Sequence, residues 1–336
     1  MKLTPDQIAP FITGADHGQI IDGAWHAQRI PAPMNELHES AEGLRARAAC
    51  HAGVRLRFTT DARRLRLTLR FGAEARPFYR GTLLVDGDEA RPFGPADKQT
   101  PWSGTVFEQN AAAAHEFDLW LPHMAQADIV ALEADDATRL EPASPLPLRW
   151  IALGDSITQG MTASLPHLAV TARCALALNA ALHNWAVGGA KLEAELADTL
   201  PDVEAGLISI AYGTNDFNQS RPVESYRDNT ARLLEAATAQ WPGRPLVLIT
   251  PLTWAQRTEP NSVGHTLDDY RAAAASVAEN FEHVHLVAGD KLMDDDPALF
   301  VDNVHPNDTG FAQYADRLLP ELRAVLAPSP SGRGLG

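Results

Sequence analysis

Leu148-Arg149-Trp150-Ile151-Ala152-Leu153-Gly154-Asp155-Ser156-Ile157 is a short apolar run that stops at a glycine, an acid and a serine. A run of this length, bounded by turn residues, reads as a buried strand of a parallel sheet. A helical pattern over 165–177 follows it. Downstream the texture repeats. Residues 183–187, 207–211, 245–250 and 284–287 read as further buried strands, and 222–240 and 266–281 as helices. A last amphipathic helix, capped by Asn307 or Asp308, carries Phe311, Tyr314, Leu318, Leu319, Leu322 and Val325 along one stripe. Strands alternating with helices imply a doubly wound α/β sheet over 148–327. Residues 328–336, small and rich in Pro and Gly, are expected to form a disordered tail.

Upstream the period changes from helical to two. Val54, Leu56 and Phe58, then Leu65, Leu67, Leu69 and Phe71, alternate with polar residues on either side of Asp61-Ala62-Arg63, which predicts a β-hairpin. Short strands are also expected at 81–85, at 117–121 and at 129–132, and an antiparallel sandwich or jelly roll over 1–145 would bury them. Arg55, Arg57, Arg64, Arg66 and Arg70 alternate with the core positions and are expected on the solvated face of a half-buried sheet. Trp25, Trp102 and Trp120 are expected in the core or at a domain interface rather than as sugar-stacking platforms. The proline-rich stretch 141–147 reads as the link between the two parts.

The chain has 336 residues, 45% of them hydrophobic, and a formal charge of -15, which disfavours nucleic acid or an anionic membrane as partner. Cys50 and Cys174 are its only cysteines and lie in no metal-binding or redox spacing, so two buried free thiols are expected. Residues 1–20 lack a secretory signal pattern and no stretch is apolar enough to span a bilayer; cytoplasmic residence is the expectation.

The chemistry rests on residues scattered over the second half. A serine hydroxyl becomes a nucleophile when an imidazole takes its proton, and that imidazole needs a third group to fix its tautomer. Ser156, His305 and Asp302 fit those roles. Asp302 and His305 stand three apart and can share one face of a turn, while Pro306 steers His305 away from helical geometry. Between the serine and the histidine, the segments 184–189 and 211–216 offer the amide of Gly189 and the carboxamide of Asn215; with the Ser156 amide these can hold an oxyanion. Each of these residues follows the carboxyl end of an expected strand, the edge where open α/β sheets bind ligands. Asp155 reads as a brace or cap for the turn.

In that order, Ser156, Gly189, Asn215 and His305 resemble the four marker residues of the SGNH (GDSL-type) hydrolase superfamily, with Ile157 where Leu is commoner and with the Asp three residues before the His present as Asp302. The resemblance covers about 148–326 and implies a flavodoxin-like catalytic domain. It also implies a serine esterase that cleaves small acyl esters through an acyl-enzyme and needs no metal or cofactor. A sandwich preceding such a domain is similar to certain carbohydrate esterases and related acyltransferases, so O-acetyl groups on sugars are the expected substrate. An acyltransferase using the same residues is the alternative, and product analysis with alcohols present separates the two. Two rivals come from other classes. A metallophosphoesterase would use Asp155, Asn215, Asp302 and His305 as ligands and be sensitive to chelator. A glycan-binding module would keep its binding without Ser156.

Overall fold

The computed structural model describes residues 1–327; the tail expected at 328–336 lies outside the described residues. Two antiparallel sheets come first. One orders the strands His17–Ile21, Ala24–Gln28, Ala125–Asp135, Arg64–Glu74 and Trp102–Glu108, with Lys2–Leu3 also pairing with Ala125–Asp135. The other orders Leu140–Pro142, Arg55–Thr60, His115–Trp120, Gly81–Val85 and Asp88–Phe93, with Ile12–Thr13 beside Arg55–Thr60. Their inner faces meet in one core that includes Leu56, Phe58, Leu67, Leu69, Phe117 and Ile129.

The expected hairpin over 54–71 does not form. Arg55–Thr60 pairs with His115–Trp120, whereas Arg64–Glu74 pairs with Ala125–Asp135 and Trp102–Glu108, so the turn at 61–63 crosses from one sheet to the other. Alternation is satisfied equally by lateral pairing or by facing across the sandwich. Here the apolar sets of both strands face each other across it, about 10 Å apart, a gap that three residues can span.

The second correction concerns the arginines. Arg64 and Arg66 are exposed and Arg70 is half-buried, but Arg55 and Arg57 are buried. The outer face of their sheet is covered by the rest of the molecule rather than by water. Arg55 donates to the Ala180 carbonyl at 2.7 Å and to Asp118 at 2.6 Å, and its guanidinium lies 4.4 Å from the Trp120 ring centroid. Trp25 belongs to the sandwich core and the half-buried Trp102 packs against it, while Trp120 packs with Trp150 at the junction.

The third sheet is parallel throughout, in the order Ala180–Asn184, Leu148–Gly154, Leu207–Ala211, Leu246–Ile249, Val284–Val287. Alternation along Leu148–Gly154 sends Ile151 and Leu153 into one core with the helices Val223–Gln240 and Leu267–Ala278. Trp150 and Ala152 enter the opposite core with Val170–Ala177 and Asp308–Leu326. Helices therefore cover both faces, as a doubly wound sheet requires. The strand expected at 183–187 runs instead from Ala180 to Asn184, and the helix expected over 165–177 begins at Val170 after a short 3-10 turn at Pro166–Leu168. Two short helices from the first part of the chain, Ala32–Glu36 and Glu42–Ala48, place Met34 and Ala48 in the α/β core. Among the described residues no helix is long and apolar enough to cross a membrane.

Candidate active site

With its first two strands exchanged in space, the parallel sheet has its switch point between Leu148–Gly154 and the neighbouring Leu207–Ala211, the place at the carboxyl edge where open α/β sheets bind ligands. Ser156 begins the four-residue helix Ser156–Gln159 at this edge. A side chain at Gly154 would lie 2.3 Å from Thr158 Oγ1, so only glycine lets the strand turn this tightly into the helix. Asp155 caps that helix by accepting the Ile157 amide at 3.0 Å. Burial raises its carboxyl to about 7, which favours the neutral form of a bracing residue.

The Ser156 hydroxyl donates to His305 Nε2 at 2.8 Å. The other ring nitrogen, Nδ1, stands 3.0 Å and 2.9 Å from the two Asp302 oxygens, and the His305 amide donates to Asp302 Oδ1 at 2.8 Å. Burial works against the Asp302 carboxylate, but the hydrogen bonds from His305 outweigh it and hold its pKa below the usual carboxylate value. An ionised Asp302 only accepts, so the ring proton sits on Nδ1 and the Nε2 lone pair faces the serine. The loop that presents the pair is closed by Val301 N to His305 O at 2.9 Å and by a bridge between Phe300 and Pro306. The next helix is capped by Asn307, which accepts the amides of Thr309 and Gly310 at 3.0 Å each.

The expected oxyanion donors follow the ends of the two strands that flank Leu148–Gly154. Gly189 has φ +81° and follows Ala180–Asn184; Asn215 lies in the helix Thr214–Asn218, after Leu207–Ala211. Neither the Ser156 nor the Gly189 amide has an acceptor among the described residues. The Asn215 carboxamide donates one N–H to the Ala190 carbonyl at 3.0 Å, which fixes its plane and leaves its second N–H for a ligand.

Three positioning residues escaped the sequence reading. Gln159 is buried, accepts the Gly188 amide and donates to the Arg47 carbonyl, both at 2.8 Å. Arg47 donates to the Gly188 carbonyl at 3.2 Å. Arg29, fully enclosed, donates to the carbonyls of Asn184, Ala186 and Cys50. Gln159 stands at helical spacing from Ser156, a usable signal; nothing in the sequence singles out the arginines.

The other nucleophiles are silent. Burial pushes the Cys50 thiol up to about 11 and the Cys174 thiol up to about 12, and both are free and buried. The ligand set of a metallophosphoesterase is not assembled, since Asp155 caps a helix and both Asp302 oxygens face His305. Among the described residues one trio of metal-capable donors converges, His26, His51 and Asp128 in the sandwich. The Ala127 amide donates to His51 Nδ1 at 3.1 Å, which requires the proton on Nε2 and leaves that ring no lone pair for a cation.

Comparison with known proteins adds the following. Residues 152–313 match the GDSL-like Lipase/Acylhydrolase family. Searched against curated proteins, the sequence gives no match. Among solved structures, the chain is similar to the salicylyl-acyltransferase SsfX3 from a tetracycline biosynthetic pathway, with TM-score 0.82 and 25% identity over 97% of both chains. A putative GDSL-like lipase from Bacteroides ovatus superposes with TM-score 0.76 at 17% identity, covering 97% of this chain and 98% of that one. A family two carbohydrate esterase from Clostridium thermocellum gives TM-score 0.67 at 19% identity, covering 82% of this chain and 94% of the other.

Proposed function

Residues 152–313 form a GDSL-like lipase/acylhydrolase domain, and from that premise we propose that the chain is a serine esterase that cleaves carboxylic esters carried by sugars or other alcohols, through an acyl-enzyme on Ser156. The observation that carries this reading is the unbroken relay from Ser156 Oγ to His305 Nε2 at 2.8 Å and from Nδ1 to Asp302 at 2.9 Å.

In the first step Ser156 Oγ attacks the ester carbonyl while Nε2 takes its proton. Asp302 stabilises the resulting imidazolium without itself being protonated. The tetrahedral oxyanion is held by the amides of Ser156 and Gly189 and the free N–H of Asn215; losing one such donor typically costs about two to three orders of magnitude in turnover. Nε2 then returns the proton to the departing alcohol, and water, activated by the same nitrogen, releases the acid. A sugar as the alcohol is supported by the likeness to a carbohydrate esterase.

A second reading, transfer of the acyl group to an acceptor alcohol by the same residues, is favoured by the likeness to SsfX3 along nearly the whole chain. Hydrolysis of nitrophenyl esters and acetylated sugars by wild type and Ser156→Ala tests the first reading; turnover that survives the substitution rejects it. Mass analysis of products formed with alcohols present tests the second.

A further inference from the structure

The segment that joins the helices Ala32–Glu36 and Glu42–Ala48 reaches across the molecule to the loop that carries Gly189. With that loop it encloses a cavity of about 680 Å³. Leu37, His38 and Leu44 line one side, Gly189, Leu196 and Tyr212 the other. Gly189 is also the residue whose amide is assigned to the oxyanion, so the cavity adjoins the oxyanion side of the site. None of the lining residues comes from the loop 299–306 that holds the base.

This asymmetry identifies the occupant. In the tetrahedral intermediate the departing alcohol lies against His305, which must give it a proton, and the oxyanion faces the amides. The substituent directed away from His305 is the acyl group. The lining mixes the apolar Leu37, Leu44, Leu196 and Tyr212 with polar side chains; at its rim Glu193 pairs with Arg221 and with Lys191, while Glu195 is exposed. His38 is neutral at working pH, because burial and the nearby Arg29 push its pKa down to about 4. A cavity of this volume lies within the roughly 300–1,000 Å³ of sites that enclose whole small molecules. An acetyl group leaves most of it empty.

We infer that the cavity beside Gly189 is the acyl pocket, walled by a segment from the first part of the chain, and that the preferred acyl group is bulky, the size of a benzoyl or octanoyl group. The inference rests on the acyl-enzyme reading above and differs from the small acyl group expected from sequence.

The test is kcat/KM for nitrophenyl acetate, octanoate and benzoate, measured on wild type, Leu44→Trp and Leu196→Trp, with circular dichroism to establish folding. Wild type is expected to favour octanoate and benzoate over acetate by about tenfold or more, a discrimination that apolar pockets reach. Each tryptophan, filling the cavity from a different wall, is expected to lower the octanoate-to-acetate ratio about tenfold or more. Acetate preference in wild type, or a ratio that neither variant moves, overturns the inference; so does a shift in preference among alcohols with none among acyl groups. Should one variant fail to fold, the wild-type preference and the other variant decide. Ser156→Ala separates the two levels: if it is inactive on all three esters while wild type prefers acetate, only the pocket assignment falls.

Discussion

Asp302 acts on the reaction only through His305, and its value lies in being an acceptor that cannot donate. Asp302→Asn keeps the size but can present an N–H to Nδ1, which favours the tautomer with its proton on the nitrogen that should face Ser156. Turnover is expected to fall by about two to four orders of magnitude with little change in KM, as steady-state kinetics would register; a loss below tenfold would contradict the assigned role. Asp155, one residue from the nucleophile, is expected to behave in the opposite way. Its folded-state carboxyl is raised from 3.8 to about 7, so the folded protein binds that proton more tightly than the unfolded chain does. The contribution to stability is therefore greatest at acid pH and is lost as pH rises through this window, levelling off above about 7. Asp155→Asn retains an acceptor for the Ile157 amide and removes the titration. Its Tm relative to wild type is expected to rise between about pH 4 and pH 7 and to stay level above, and scanning calorimetry across that range would show the slope or its absence.

The helix Asp308–Leu326 shows how an element carries the site. Phe311, Tyr314, Leu318 and Leu322 bury one face of it against the sheet, and its cap, Asn307, stands two residues after His305. Asn307→Ala removes the acceptor for two amides and a donor to the Ala298 carbonyl, and is expected to cost about 1–2 kcal/mol in denaturant unfolding. An unchanged midpoint would contradict the capping role. Elements whose signal is local were legible in the sequence. The parallel strands read as apolar runs, and the final helix read from its stripe and cap. Where the reading slipped, the cause was that apolar content reports burial rather than pairing. Trp185, Ala186 and Val187 are buried as expected, yet they lie in the loop past Ala180–Asn184. The two strands around 61–63 showed the right alternation, but alternation does not say which sheet each strand joins. The proposed catalytic residues were legible because their side-chain chemistry and chain order are specific.

At the scale of the molecule, what the sequence hid was the dependence of the site on the other half of the chain. Arg29 and Arg47 act through main-chain carbonyls that any residue type supplies, so no pattern of side chains marks them. Burial lowers the Arg29 guanidinium to about 10, still charged at neutral pH, and its partners are carbonyl groups that include Asn184, at the end of its strand, and Ala186, in the loop leading to Gly189. Arg29→Ala leaves several buried acceptors unpaired, each worth about 1–3 kcal/mol. Chemical denaturation is expected to show a loss of about 3 kcal/mol or more, with turnover falling beyond what the unfolded fraction explains; full activity in the folded fraction would contradict the coupling. The most direct measurement for the whole proposal is peptide mapping after reaction with a fluorophosphonate. A single adduct on Ser156, absent from Ser156→Ala and strongly slowed in His305→Ala, is the expected result. Labelling at another residue, or none on Ser156 in protein that hydrolyses esters, would contradict it.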